Sequence, residues 1–185
     1  MTSQKRIALL TVHPYVIGAL VGTILGTVFV LVNRQVLPGG WQLAALFAWA
    51  VALIPIIVLV LLRPVPELPG PRRSSLLVYG ASVLAMLALF PVSRFLLAAW
   101  GHVELLPAAI AMAVGLHFIP FAWAFRARIY LILGLAMTVI GAAGLVIGAL
   151  GGGAMAAGAA AVLAGLVMMA SVALGALRPS GRTQD

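Results

Sequence analysis

His117 stands in the middle of an apolar run, in the segment Gly115-Leu-His-Phe-Ile-Pro120, and it is the side chain in this sequence best suited to chemistry. A neutral imidazole carries one donor and one acceptor, so at the depth of a lipid bilayer it must face protein or water and find a partner. Pro120, three residues on, lacks a backbone N–H and pushes away the carbonyl of Leu116, leaving a kink and a weakly satisfied acceptor beside the imidazole. Two readings follow. His117 and Pro120 line a ligand pocket, or the ring only satisfies a carbonyl freed by Pro55 or Pro91, or a hydroxyl such as that of Thr23, Thr27, Ser82 or Thr138. Arg94 is the second candidate. It lies three residues past Pro91, next to Ser93, where it either snorkels to headgroups or opens as an anion-binding group on the outer side, paired with Glu104.

Other chemistries are short of residues. The chain has three acidic side chains, Glu67, Glu104 and Asp185, and none lies inside an apolar run, which removes the membrane carboxylate through which proton-coupled carriers usually relay. Cysteine is absent, so disulfides, thiolate ligands and thiol nucleophiles are excluded. His13, His102 and His117 fall at different depths and do not supply the three or four ligands zinc needs. Ser82, Ser93 and Ser171 lack a G-x-S-x-G elbow and an orienting acid. No catalytic residues, metal or cofactor are expected, and an enzyme is not expected either.

These residues are positioned by a membrane protein. Of its residues 64% are hydrophobic and 8% charged, against about a quarter charged in a soluble domain. Six apolar runs are long enough to cross about 30 Å of hydrocarbon: residues 15–32, 41–62, 76–97, 106–125, 129–150 and 154–177. Backbone polar groups left unsatisfied in lipid are costly, so such runs must be helices. The expected fold is an all-α, six-transmembrane-helix bundle forming one membrane domain over residues 1–185, without a soluble domain. The first run is too long for a signal-peptide core and is read as a retained helix.

Charge sets the orientation. Lys5, Arg6, Arg63, Arg72, Arg73, Arg126, Arg128, Arg178 and Arg182 fall on the termini and alternate connections, whereas Arg34 and Arg94 fall on the other side. The positive-inside rule then places both termini in the cytoplasm of a bacterial inner membrane. It also accounts for the net charge of +8 without nucleic acid, which would call for a basic face on a soluble module. The expected partners are the lipid bilayer and anionic headgroups held by Arg63, Arg72, Arg73, Arg126 and Arg128 at the cytoplasmic face.

Helices in lipid associate through close contact rather than through the hydrophobic effect, so small residues in register mark the seams. Gly18, Gly22 and Gly26 form a doubled GxxxG flanked by Thr23 and Thr27, which serves either packing inside the monomer or a homodimer. Gly134, Gly141 and Gly148 recur every seven residues, as do Gly158 and Gly165. That period stays on one face of a left-handed pair, so the last two helices are expected to form a tight hairpin through Gly151, Gly152 and Gly153. The tetrapeptide Phe-Ala-Trp-Ala, at Phe47 to Ala50 and Phe121 to Ala124, falls in spans two and four, which a three-plus-three repeat does not match.

The segment Gly115-Leu-His-Phe-Ile-Pro120 resembles a G-L-H-F-x-P stretch of small, uncharacterised bacterial multi-span membrane proteins. It covers about six residues, and what it implies is a shared His117 and Pro120 rather than an activity. The expected function is the binding or transport of a small apolar or weakly polar molecule in a pocket lined by spans two to four. The alternative is a structural subunit that stabilises a membrane partner through its glycine faces.

Overall fold

The computed structural model describes residues 14–62 and 73–177. Lys5, Arg6, His13, Arg63, Glu67, Arg72, Arg178, Arg182 and Asp185 lie outside the described residues. Among those described, the fold is helical without strands: α1 (Pro14–Asn33), α2 (Gly39–Leu62), α3 (Arg73–Ala99), α4 (Leu106–Ala124), α5 (Arg128–Ile147) and α6 (Gly153–Leu177). Short 3-10 turns, Arg34–Val36 and Val103–Leu105, join α1 to α2 and α3 to α4. Pro55, Pro91 and Pro120 lie inside α2, α3 and α4, each of which continues past its proline.

Among the described residues, five stretches are long and apolar enough to cross a membrane: Gly18–Val36, Gly39–Val58, Ser74–Ala99, Val103–Ala124 and Arg128–Leu174. The last is 47 residues long, about twice what one crossing requires. It is not one straight rod. The helix expected to run to Leu150 ends at Ile147 and widens into a π turn, Gly148–Gly152, where Gly151 takes φ 112°. Gly153 follows at φ 50°, and at both positions a side chain would be strained. The chain then folds back: a Cβ placed on Gly144 of α5 would collide with Ala160 of α6 and come within 3.5 Å of the Ala156 carbonyl.

At the centre is α6, against which α1, α2, α4 and α5 all pack. Its small residues make this possible, since Ala157, Ala160, Ala161 and Ala164 are fully or almost fully buried and let four neighbours approach. The main core joins Phe29 of α1, Ala111 and Val114 of α4, Leu133 and Met137 of α5, and Ala161, Ala164 and Met168 of α6. In contrast α3 packs mainly on α4 and leaves Leu77 (75%), Leu84 (68%) and Phe95 (74%) exposed. Apolar surface of that extent fits contact with lipid rather than water.

Two expectations about packing are corrected by this arrangement. The seven-residue glycine series do not form the seam between α5 and α6. A Cβ on Gly134 would lie 2.9 Å from the Gly115 carbonyl, and one on Gly141 would lie 2.7 Å from that of Ala108, so these glycines face α4. Gly158 and Gly165 face α1 and the turn that follows it, through Asn33, Val36 and Gly26. Nor, among the described residues, are spans two, three and four gathered together as the expected pocket would need, because α2 is held by α6 and α1 while α3 is held by α4.

The turn between α4 and α5 ends α4 in a Schellman pattern, with Ala127 N–H donating to Ala122 O at 3.2 Å and Arg126 N–H to Trp123 O at 3.4 Å. Arg126 occupies the left-handed position at φ 50°, where glycine is the usual residue.

Candidate functional site

The site is built on a helix pair in backbone contact. Gly115 of α4 and Gly134 of α5 touch directly: a Cβ on Gly115 would collide with the Thr138 amide and lie 2.8 Å from the Gly134 carbonyl. Thr138 turns its hydroxyl back onto the Gly134 carbonyl at 2.7 Å, so its own polar group is satisfied at the contact. His117, two residues beyond Gly115, is thereby fixed in place.

The imidazole is half-buried. Its Nδ1 donates to Val114 O of its own helix at 2.5 Å, rather than to a carbonyl freed by Pro55 or Pro91 or to any of the hydroxyls considered as partners. Those hydroxyls are engaged elsewhere. Thr23 donates to Ala19 O at 2.7 Å and Ser82 to Tyr79 O at 3.1 Å, while Thr27 accepts the Trp49 indole N–H at 3.0 Å and so ties α2 to α1. With Nδ1 facing a carbonyl, a neutral ring carries its proton there, and Nε2 remains an acceptor.

Around the imidazole lie aromatic rings that sequence reasoning missed. The Phe118 and Phe121 rings are 4.2 and 5.1 Å from it, centroid to centroid. Tyr79 of α3 stacks on Phe121 at 4.9 Å, and Tyr130 of α5 faces Phe118 at 6.2 Å and Phe121 at 6.1 Å. Phe125 closes the end nearest the α4–α5 turn, 5.8 Å from Phe121. Phe121 is buried and sits at the hub. Its spacing of three and four residues from Phe118 and Phe125 marks one helix face, and that was the signal available in the sequence. Ser75 Oγ donates to Ala124 O at 2.9 Å and fastens the start of α3 over the cluster.

Pro120 is half-buried in the same turn of α4 as this cluster. Arg94 is not part of it. It is exposed on α3, three residues before Leu97, which packs with Leu105, Ala108 and Ala109 at the other end of α4. Glu104, considered as its partner, instead meets the His102 ring at 3.1 Å. Among the described residues no three His, Asp or Glu side chains gather as a metal site would require. The arrangement offers apolar ring faces and a hydrogen-bond acceptor, which suit an apolar or weakly polar molecule.

The packing glycines fall as follows. Gly22 faces Val172, and Gly26 faces Met169 and the Gly165 carbonyl, so both lie between α1 and α6. A Cβ on Gly18 would meet no described atom within 4 Å. Gly148 abuts Leu105, and Gly144, which the seven-residue pattern passed over, sits where α4, α5 and α6 meet.

A family model matches residues 76–176, more than half of the chain. The chain belongs to the DUF7010 family. It is described as a family of unknown function, and its matched range takes in nearly all of α3 through α6, including His117 and the aromatic rings from Tyr79 to Tyr130. No curated protein and no solved structure matches the chain. Within the DUF7010 range lie the α4–α5 glycine contact and the cluster built on it, whereas α1 and α2 fall outside.

Proposed function

We propose that the protein crosses a bacterial inner membrane six times, with both termini in the cytoplasm, and binds or passes a small apolar or weakly polar molecule at the His117 aromatic cluster. The 47-residue stretch from Arg128 to Leu174 counts as two crossings, because it reverses at Gly151. The observation that carries the binding reading is the half-buried imidazole of His117, whose Nε2 is an acceptor and whose ring lies beside Phe118 and Phe121, with Tyr79 and Tyr130 packed in turn on those rings. A ligand hydroxyl or amine would donate to Nε2 while its apolar part lies against the rings. Entry is supported by α3, which covers one side of the cluster and packs mainly on α4.

The rival reading, a subunit that holds a membrane partner through its glycine faces, has less support. Gly22, Gly26, Gly141, Gly148, Gly158 and Gly165 are met by other segments of the same chain, so those faces are already used. Arg94, exposed on α3, belongs with headgroup contact rather than with the ligand.

The test is ligand stabilisation of the purified protein in uncharged detergent, using a series of short alcohols and amines with apolar tails. Stabilisation that rises with apolar length, and that is lost in both Phe121→Ala and His117→Leu while Trp41→Ala retains it, supports the reading. Equal stabilisation of all the variants would count against it.

A further inference from the structure

Arg34 opens the 3-10 turn between α1 and α2, on the side where positive charge is disfavoured by the topology above. The turn is firmly held. Leu37 N–H donates to Arg34 O at 3.0 Å, Gln42 Nε2 donates to Leu37 O at 2.8 Å and to Gln35 O at 3.3 Å, and Asn33 Nδ2 donates to Phe29 O at 2.8 Å. It is also wedged against the second turn of α6: a Cβ on Gly158 would collide with Val36 and lie 3.1 Å from Asn33 O. Within this setting Arg34 is half-buried, and its Nε is buried without a hydrogen-bond partner.

A guanidinium is always charged and consists of donors only. Leaving one of those donors buried and unmet costs more than leaving it in water. The start of α6 brings the positive end of a helix dipole to the turn and has no acidic residue in its first turn, while the C-terminal end of α1, which Arg34 directly follows, offers partial negative charge but no acid. Glu104, the described acid on this side, is engaged by His102 at 3.1 Å. The described chain therefore gives the Arg34 guanidinium no acidic partner.

We propose that Arg34 is the binding residue of an anion site at the α1–α2 turn and takes a phosphate group, from an anionic lipid headgroup or from a soluble phosphate. The planar fork of the guanidinium matches two phosphate oxygens, and the rigid turn positions it at little further cost in entropy. The leaflet from which a lipid would come rests on the topology proposed above; the anion site itself does not.

The full chain, purified in uncharged detergent, would be titrated with phosphatidylglycerol, with diacylglycerol of matched chains, and with inorganic phosphate, and binding read by native mass spectrometry and thermal stabilisation. Phosphatidylglycerol or phosphate is expected to bind, and Arg34→Gln to weaken that binding about tenfold, while Arg94→Gln retains wild-type affinity. Arg34→Lys keeps the charge without the fork and is expected to lose about threefold; it carries the test if Arg34→Gln does not fold. A preference for phosphatidylglycerol over diacylglycerol assigns the site to lipid, and stabilisation by inorganic phosphate without that preference assigns it to a soluble phosphate. Unchanged affinity in both Arg34 variants, or an equal loss in Arg94→Gln, would overturn the site. Labelling of a Gln35→Cys variant only from the cytoplasmic side would instead overturn the topology and leave the anion site standing.

Discussion

His117 shows how a polar group at membrane depth is satisfied without a partner helix. Its Nδ1 donates to Val114 O, a carbonyl that the helical ladder also joins to the Phe118 N–H. Removing the imidazole therefore orphans no acceptor. His117→Leu is expected to destabilise the protein by only about 0.5–1.5 kcal/mol, the net worth of one hydrogen bond, when unfolding is followed in detergent. A loss well above about 3 kcal/mol, beyond what one such bond supplies, would mean that the ring is a structural keystone rather than a group open to ligand. That His117 needs a hydrogen-bond partner was legible in the sequence, because a lone His in an apolar run must be satisfied. Its partner was not, since the carbonyl three residues back is available in every helix and leaves no mark in the sequence. Two of the hydroxyls considered as partners were poor candidates for a related reason: Thr23 and Thr138 reach the carbonyls four residues earlier, which short hydroxyl side chains in helices readily do.

At the level of helices, glycine spacing identified surfaces of close approach but not what approaches them. Gly26 illustrates this. A Cβ there would lie 2.7 Å from Met169 Cγ and 2.9 Å from the Gly165 carbonyl, whereas one on Gly22 would meet the Val172 side chain at 2.9 Å and one on Gly40 would meet nothing within 4 Å. A backbone carbonyl cannot move aside as a side-chain end can. Gly26→Leu should thus cost the most, about 1–3 kcal/mol or more from overpacking, Gly22→Leu less, and Gly40→Leu within about 0.5 kcal/mol, as read from melting in detergent. Equal tolerance at Gly26 and Gly40 would contradict the α1–α6 contact. The seven-residue series misled because periodicity specifies a face and leaves the partner open: Gly134 and Gly141 chose α4, against Gly115 and Ala108, over the sequence neighbour α6. The all-helical character, in contrast, follows directly from apolar length and the cost of bare backbone in lipid.

In the whole molecule a helical bundle centred on α6 carries the aromatic cluster at the α4–α5 contact. Sidedness is tested by cysteine labelling in sealed vesicles. Single cysteines at Gln35 and His102 should react from outside, and one at Ala127 only after permeabilisation; reaction at Ala127 from outside would reverse the proposed orientation. The cluster itself was only partly legible, because its rings come from three helices, Tyr79, Phe121 and Tyr130, and their meeting depends on packing that the sequence does not spell out. The most direct measurement of the central claim is photolabelling of the purified protein with a short diazirine alkanol, mapped by peptide mass spectrometry. Labelling is expected to concentrate between His117 and Tyr130, above that of the exposed Leu77 and Leu84 on α3, and to be abolished by Phe121→Ala. Labels spread evenly over the lipid-facing residues of α2 and α3, and unaffected by that substitution, would contradict it.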